Sequence, residues 1–199
     1  QIFDWYKDGI YKPYAEEKNP DDKYNKLITL ILHVKKNVFP WIRLNRVIRD
    51  IPESEIFGGN SCTNLRQHLH KILKDNGEIC KCLRCREVKN RTIDTNNIKE
   101  VIRQYNDIDA TEYFISMESY DESIVYGFCR LRINHNNNNV MKLIHDHALI
   151  RELHVYGVMT PHYSSKTTRT QHHGFGKTML KRAEQIAYMD GIKKMAIIS

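Results

Sequence analysis

Four groups of residues in this chain have types and spacings that could do chemistry. The first is Arg169-Thr170-Gln171-His172-His173-Gly174-Phe175-Gly176-Lys177, where a polar loop runs into an amphipathic stretch. Gly174 and Gly176 would let backbone N–H groups come close to a phosphate, and the positive end of a following helix would stabilise its charge. The second is Cys80-Lys81-Cys82-Leu83-Arg84-Cys85. Three thiolates in a C-x-C-x-x-C pattern can ligate one zinc ion, which favours soft tetrahedral sulfur and nitrogen donors. A fourth donor must come from elsewhere; Cys62, His68, His70 and His154 all qualify by type. The same cysteines are also compatible with reduced structural thiols and no metal. The third group is Arg43, Arg46 and Arg49, spaced three apart, which can grip phosphates bidentately or pair with internal carboxylates such as Asp50. The fourth is Glu152 and His154, which are candidates for a general base or for a strand pair satisfied by its neighbours.

The chain that must position these groups has 199 residues, 41% of them apolar, enough to bury a substantial core in one domain or one and a half. Its net charge of +7 suits an acidic partner such as nucleic acid, and suits equally a protein that binds none. There is no apolar run long enough to span a bilayer and no signal peptide, so the chain reads as soluble and intracellular. Five cysteines, three of them within six residues, argue for ligation and against a disulfide framework. Opening at Gln1 without methionine and stopping at Ser199 inside an apolar run, the sequence reads as a fragment or a divergent gene product.

Gln1 to Pro20, polar and aromatic, reads as an extended segment without helical period. Tyr24, Leu27, Ile28, Ile31, Leu32 and Val38 recur at helical steps, which predicts a helix over 21–38 with Asp21 or Asp22 near its cap and Pro40 after its end. Trp41 to Pro52 alternates apolar and polar residues as a short element. Ser61 to Asn76 predicts a second helix, with Leu65, Leu69, Ile72 and Leu73 on one face and Gly77 as its stop. Arg86 to Asp107 is strongly charged and reads as a surface crossing. Glu112 to Glu118 and Ser123 to Ile133 flank Ser119-Tyr120-Asp121-Glu122 and predict a β-hairpin with Cys129 in the core. Asn134 to Asn139 reads as a flexible polar loop. A strand over about 148–158 follows, then a helix over 175–189 with Phe175, Met179, Ala183, Ile186 and Ala187 on one face. Asp190-Gly191 stops that helix, and Lys194 begins another strand.

The spacing Gln171-x-x-Gly174-x-Gly176, heading a helix that follows three strands, resembles the pyrophosphate loop of GNAT-type acetyltransferases. Four further segments accompany it in order: Trp41-Ile42-Arg43 through Arg49-Asp50-Ile51-Pro52, Asn64-Leu65-Arg66-Gln67, Cys80 through Val88, and Arg151-Glu152-Leu153-His154-Val155-Tyr156-Gly157. Together the five resemble the family of Elongator catalytic subunits over nearly the whole chain. Members of that family join a radical S-adenosylmethionine (SAM) domain to a C-terminal GNAT-like domain, and convert the wobble uridine of certain tRNAs to a 5-carboxymethyl derivative using acetyl-CoA.

The resemblance implies an α/β (α+β) fold class: a GNAT-type acyltransferase core with a mixed, mostly antiparallel sheet, preceded by the helical end of a radical SAM domain and a zinc-binding linker. The implied boundaries are 1–58, 59–92 and 93–199. Glu152, Leu153, His154 and Val155 match the strand along which the pantetheine arm lies. Gln171, His172, His173, Gly174, Phe175, Gly176 and Lys177 match the pyrophosphate loop. Cys80, Cys82 and Cys85 match zinc-site cysteines of some members, and Arg43, Arg46 and Arg49 match basic positions facing tRNA. SAM and an iron–sulfur cluster belong, by the same resemblance, to an N-terminal part whose cysteine triad is not in this sequence. The family's final strands and tyrosine-bearing helix are not in it either. The implied partners are tRNA and either Elongator-like subunits or a second copy, with no membrane, in the cytoplasm and, in a eukaryotic host, also the nucleus. Two other readings are a noncatalytic tRNA- or partner-binding module with a vestigial cleft, and a protein lysine acetyltransferase, for which the sequence has no substrate-recognition signal.

Overall fold

The computed structural model describes residues 1–18, 23–47, 51–89, 91, 94–138, 140–157 and 174–198. Its chain divides into two units, Gln1–Cys85 and Arg86–Ser199.

The first unit is helical. Its opening segment is not wholly extended as expected, because Ile2–Lys7 forms a short helix, α1. A helix this short has no periodic signature and depends on tertiary contacts. Phe3 packs edge-on against Phe57 at 4.9 Å, and the Tyr6 hydroxyl donates to Glu16 at 3.0 Å. Helix α2 (Lys26–Asn37) starts later than its apolar period suggests, because Asn25 caps it by accepting from the Ile28 N–H at 2.9 Å. Asp21 and Asp22 lie outside the described residues. Helix α3 (Leu65–Asp75) buries Leu65, Leu69, Ile72 and Leu73 as predicted, in one cluster with Leu32 of α2 and with Cys80 and Cys82. Gly77 ends it at φ +69°, its N–H donating to the Lys74 carbonyl at 3.0 Å. Trp41–Val47 forms no helix or strand. Its alternation arises because Leu44 and Val47 anchor on the core while Arg43 and Arg46 stay exposed. A one-turn helix, α4 (Leu83–Arg86), follows.

The second unit is built on a five-stranded sheet ordered β1 (Ile98–Asp107), β2 (Ala110–Ser119), β3 (Val125–Asn134), β4 (His147–Val155) and β5 (Lys194–Ile197). The first four strands pair antiparallel, and β5 runs parallel to β4. The hairpin, the late strand and helix α5 (Phe175–Met189) stand where the sequence placed them. The mixed α+β class with a mostly antiparallel sheet is the one observed. β1 corrects the expectation of a charged surface crossing over 86–107. It is an outer strand whose charges serve the sheet, since Arg103 reaches across to Glu118, and charged side chains are usual on sheet edges. Helix α5 buries Phe175, Met179, Ala183 and Ala187 and packs on β2, β3 and β4. The Cys129 thiol is buried and pushed up to about 12 by desolvation, so it behaves as an inert core residue. The asparagine run is tied down among its described residues. Asn136 donates to Asp109 at 3.1 Å and Asn137 to Asp146 at 3.0 Å.

Candidate functional site

In the second unit, β4 and β5 pair only from His147↔Lys194 to Ile150↔Ile197, with one further bond from the Ile198 N–H to the Ile150 carbonyl at 3.1 Å. β4 continues to Val155 in its pairing with β3. It carries a bulge just after Ile150. Leu131 faces Ile150 and Arg130 faces Glu152, which leaves Arg151 without a counterpart and bends the strand. The Arg151 guanidinium is fixed there by Glu112, which also holds Arg132; the N···O distances are 2.5 and 2.8 Å. Glu112 is buried, and its second oxygen has no partner among the described residues.

The start of α5 stands beside the end of β4. A Cβ on Gly176 would sit 3.5 Å from Val155 Cγ2. Gly174, at φ +71°, turns the chain into the helix, and among the described residues no side chain caps its first turn. Gly127 lets β4 lie close: an added Cβ there would meet the His154 carbonyl oxygen at 2.9 Å and Met179 Cε at 3.1 Å. Backbone groups of an extended strand can pair with amides of a ligand, and a helix start can receive its phosphates. Of the sequence-predicted loop residues, the structure places Gly174, Phe175, Gly176 and Lys177 here. Gln171, His172 and His173 lie outside the described residues.

Glu152 and His154 alternate with Val155 and therefore occupy the sheet face opposite α5. Glu152 is half-exposed and accepts from Arg130 Nε at 3.1 Å, while Arg130 also lies over the Phe114 and Phe128 rings. His154 is exposed, with Tyr156 edge-on against it at 4.5 Å. Both side chains reach solvent.

In the first unit, the sulfurs of Cys80, Cys82 and Cys85 lie within 4.8 Å of one another. Cys82 and Cys85 Sγ are 3.3 Å apart, and His70 Nε2 is 3.5 Å from Cys85 Sγ. Hydrogen bonding to Cys80 and Cys85 holds the Cys82 thiol well below its ordinary range, and contacts with Cys80 and Cys82 push Cys85 up. Three sulfurs and an imidazole nitrogen thus gather at one place, a donor set suited to a soft tetrahedral cation. Among the first unit's candidates for the fourth position, the structure brings His70 to the cluster. His68 is exposed on the other flank of α3, and Cys62 packs on the apolar core. His154 belongs to the second unit. Of the three arginines singled out by spacing, Arg43 and Arg46 are exposed and Arg49 lies outside the described residues.

Residues 1–75 match the Radical_SAM C-terminal domain. The full chain is 33% identical over 207 residues to the tRNA uridine(34) acetyltransferase of Methanocaldococcus jannaschii. It is 35% identical over 203 residues to Elongator complex protein 3 of Bos taurus. In both alignments all of this chain is covered but only 36% of the relative. The solved structure of the archaeal Methanocaldococcus infernus Elp3 with an N-terminal deletion superposes with a TM-score of 0.79 at 31% identity, covering 98% of this chain and 46% of that one. Over its whole length the chain is similar to members of the Elongator complex protein 3 family. It spans about a third of the length of the curated relatives it matches.

Within this chain, sequence reasoning missed several residues that shape the site. Gly127 left only the weak signal of a glycine inside a strand pattern, which marks close backbone approach. Glu118 is a fully buried carboxylate clamped by Arg86 at 2.8 Å, by Arg103 at 2.6 and 3.0 Å and by the Ser116 hydroxyl at 2.7 Å. Its signal was one of two acids in a strand otherwise rich in apolar and aromatic residues. His70 shares a flank of α3 with Arg66, one turn earlier, but periodicity alone does not say which flank meets the cysteines.

Proposed function

We propose that this chain is the acetyl-CoA-binding part of a tRNA-modifying acyltransferase that forms 5-carboxymethyluridine at the wobble position. The observation that carries the proposal is the close approach of the start of α5 to the end of β4, where a Cβ on Gly176 would sit 3.5 Å from Val155 Cγ2. The names of the relatives, tRNA uridine(34) acetyltransferase and Elongator complex protein 3, supply the substrate class.

On this reading residues 93–199 form a GNAT-type domain, 59–92 a zinc-bearing linker and 1–58 the end of a radical SAM-like domain. Backbone groups of Glu152, Leu153, His154 and Val155 pair with the pantetheine amides. The N–H groups at Gly174, Phe175, Gly176 and Lys177, with Gln171, His172 and His173 preceding them, receive the pyrophosphate. Acetyl-CoA supplies the two-carbon unit as a thioester. Glu152 and His154 stand on the solvent-facing side of the same strand, where either can take a proton at its carboxylate or imidazole nitrogen. Cys80, Cys82, Cys85 and His70 hold zinc, which would fix the 80–86 segment against α3 without taking part in the chemistry. Arg43, Arg46 and Arg49 contact tRNA phosphates. SAM and its iron–sulfur cluster are assigned to a part of the relatives that this chain does not span.

Elongator-like subunits or a second copy are the proposed protein partners, and the cytoplasm, with the nucleus in a eukaryotic host, the proposed location. Among the described residues no helix is long and apolar enough to cross a membrane. The test is release of free CoA from acetyl-CoA with and without tRNA. Release that rises with tRNA supports the reading. Acetyl-CoA bound but never consumed, with tRNA bound tightly, points instead to a noncatalytic module.

A further inference from the structure

Most partly buried arginines of the second unit have carboxylate partners: Arg86 and Arg103 with Glu118, Arg132 with Glu112, and Arg130 with Glu152. A cavity of about 300 Å³ in the first unit departs from this pattern. It is lined chiefly by Arg46, Arg66, Arg84, Thr63, Asn64 and Gln67, with no acidic side chain among the described residues. Arg66 Nη2 donates to the Asn45 carbonyl and, at 3.3 Å, to the Leu44 carbonyl. Arg84 Nη1 approaches the same Asn45 carbonyl at 3.4 Å. Two half-buried guanidiniums therefore converge on one neutral oxygen. Among the described residues, no carboxylate lies within ion-pair distance of Arg46, Arg66 or Arg84.

Each guanidinium carries five N–H donors, of which a shared carbonyl uses few, and three like charges gathered in a partly dry recess repel one another. Such an arrangement is relieved when an anion with several acceptor oxygens enters, and a phosphate matches the planar fork of arginine bidentately. Asn64, whose side chain makes no cap hydrogen bond, and Thr63 and Gln67 supply neutral donors around the same space.

We infer that this cavity is a receptor for a single phosphate group. The phosphate is either a phosphodiester of a bound RNA strand or a free phosphate ion. The first source rests on the tRNA reading given above; the second does not. Arg66 and Arg84, which no spacing argument singled out, are its principal ligands, and Arg46 closes it from the irregular segment.

The test titrates inorganic phosphate into the full chain by calorimetry, and labelled tRNA by fluorescence anisotropy across a salt series. Two variants serve. Gln67→Glu keeps all three arginines but gives them an internal carboxylate, and an acid in the first turn of α3 favours the helix, so the fold is retained. Arg84→Gln removes one ligand. Wild-type protein is expected to bind phosphate at one site, and both variants to bind it at least about tenfold more weakly, with the thermal midpoint of Gln67→Glu undiminished. If the source is RNA, Arg84→Gln also weakens tRNA binding and flattens its log–log salt slope by about one. A loss confined to inorganic phosphate assigns the cavity to the free ion. Wild-type affinity for both ligands in both variants would overturn the inference, and if Arg43→Ala then still weakens tRNA, the tRNA reading survives without the cavity. Failure of the wild type to bind tRNA sinks that reading alone, and the phosphate titration still decides on the cavity.

Discussion

Gly127→Ala probes the point where the sheet, helix α5 and the end of β4 meet. Gly127 lies opposite Val155 in the β3–β4 ladder. The new methyl would sit 2.9 Å from the His154 carbonyl oxygen, 3.3 Å from Val155 Cα and 3.1 Å from Met179 Cε. Met179 is the end of a flexible side chain and can swing away. The other two atoms are backbone of β4, so the strand itself must shift by a few tenths of an ångström. Overpacking of this kind costs about 1–3 kcal/mol, and replacing glycine in an extended conformation returns about 0.5–1 kcal/mol through the unfolded chain. The net expectation is roughly 1–2 kcal/mol of destabilisation, about 3–8 °C in the thermal midpoint of a unit this size. Because the moved atoms belong to the strand proposed to pair with pantetheine, acetyl-CoA affinity should fall as well. Calorimetric melting and acetyl-CoA titration of the two proteins measure both effects. In a double-mutant cycle, Met179→Ala should not rescue the variant, since the backbone contact remains. An unchanged midpoint with unchanged affinity would refute the packing argument, and full rescue by Met179→Ala would move the clash to the helix.

Three further expectations follow from buried polar groups. Glu118→Gln removes the carboxylate that Arg86 and Arg103 share and leaves two guanidiniums without their main partner; it should cost about 3 kcal/mol, read as roughly hundredfold faster amide exchange in β2, and a change under tenfold would contradict it. Lys35 is fully buried on α2, and its ammonium has no hydrogen-bond partner among the described residues. Lys35→Met should therefore raise stability by about 1–3 kcal/mol in urea unfolding, whereas a loss would show that the ammonium is held by a partner. For the cysteine cluster, elemental analysis should find about one zinc per chain, with His70→Ala weakening zinc retention at least about tenfold against a competing chelator. Metal-free, fully folded protein, or His68→Ala acting in place of His70→Ala, would exclude the proposed ligand set.

The sequence showed most clearly what is periodic and bounded. Helix α5 was legible because Phe175, Met179, Ala183 and Ala187 recur on one face between Gly174 and Gly191, the latter at φ +82°. The β2–β3 hairpin was legible because both strands are rich in apolar and aromatic residues around a polar turn. β1 was not, because an outer strand carries Lys99, Glu100, Arg103 and Asp107, and a charged segment looks the same whether its charges meet water or a buried Glu118. α1 was missed because a turn and a half has no period to detect. At the site, the glycine spacing and the cysteine spacing are local and could be read directly. The bulge at Arg151, the approach across Gly127, the flank of α3 that meets the cysteines, and the convergence of Arg66 and Arg84 all depend on which segments fold beside one another.

The most direct measurement is isothermal titration of acetyl-CoA into the intact chain and into Gly176→Glu. Gly176 lies in the first turn of α5, where an acid is compatible with the helix but repels a pyrophosphate. One equivalent of acetyl-CoA should bind the wild type, and the variant should keep its thermal midpoint while binding at least about tenfold more weakly. No binding to the wild type, or equal binding by both proteins, would contradict the placement of acetyl-CoA between β4 and the start of α5.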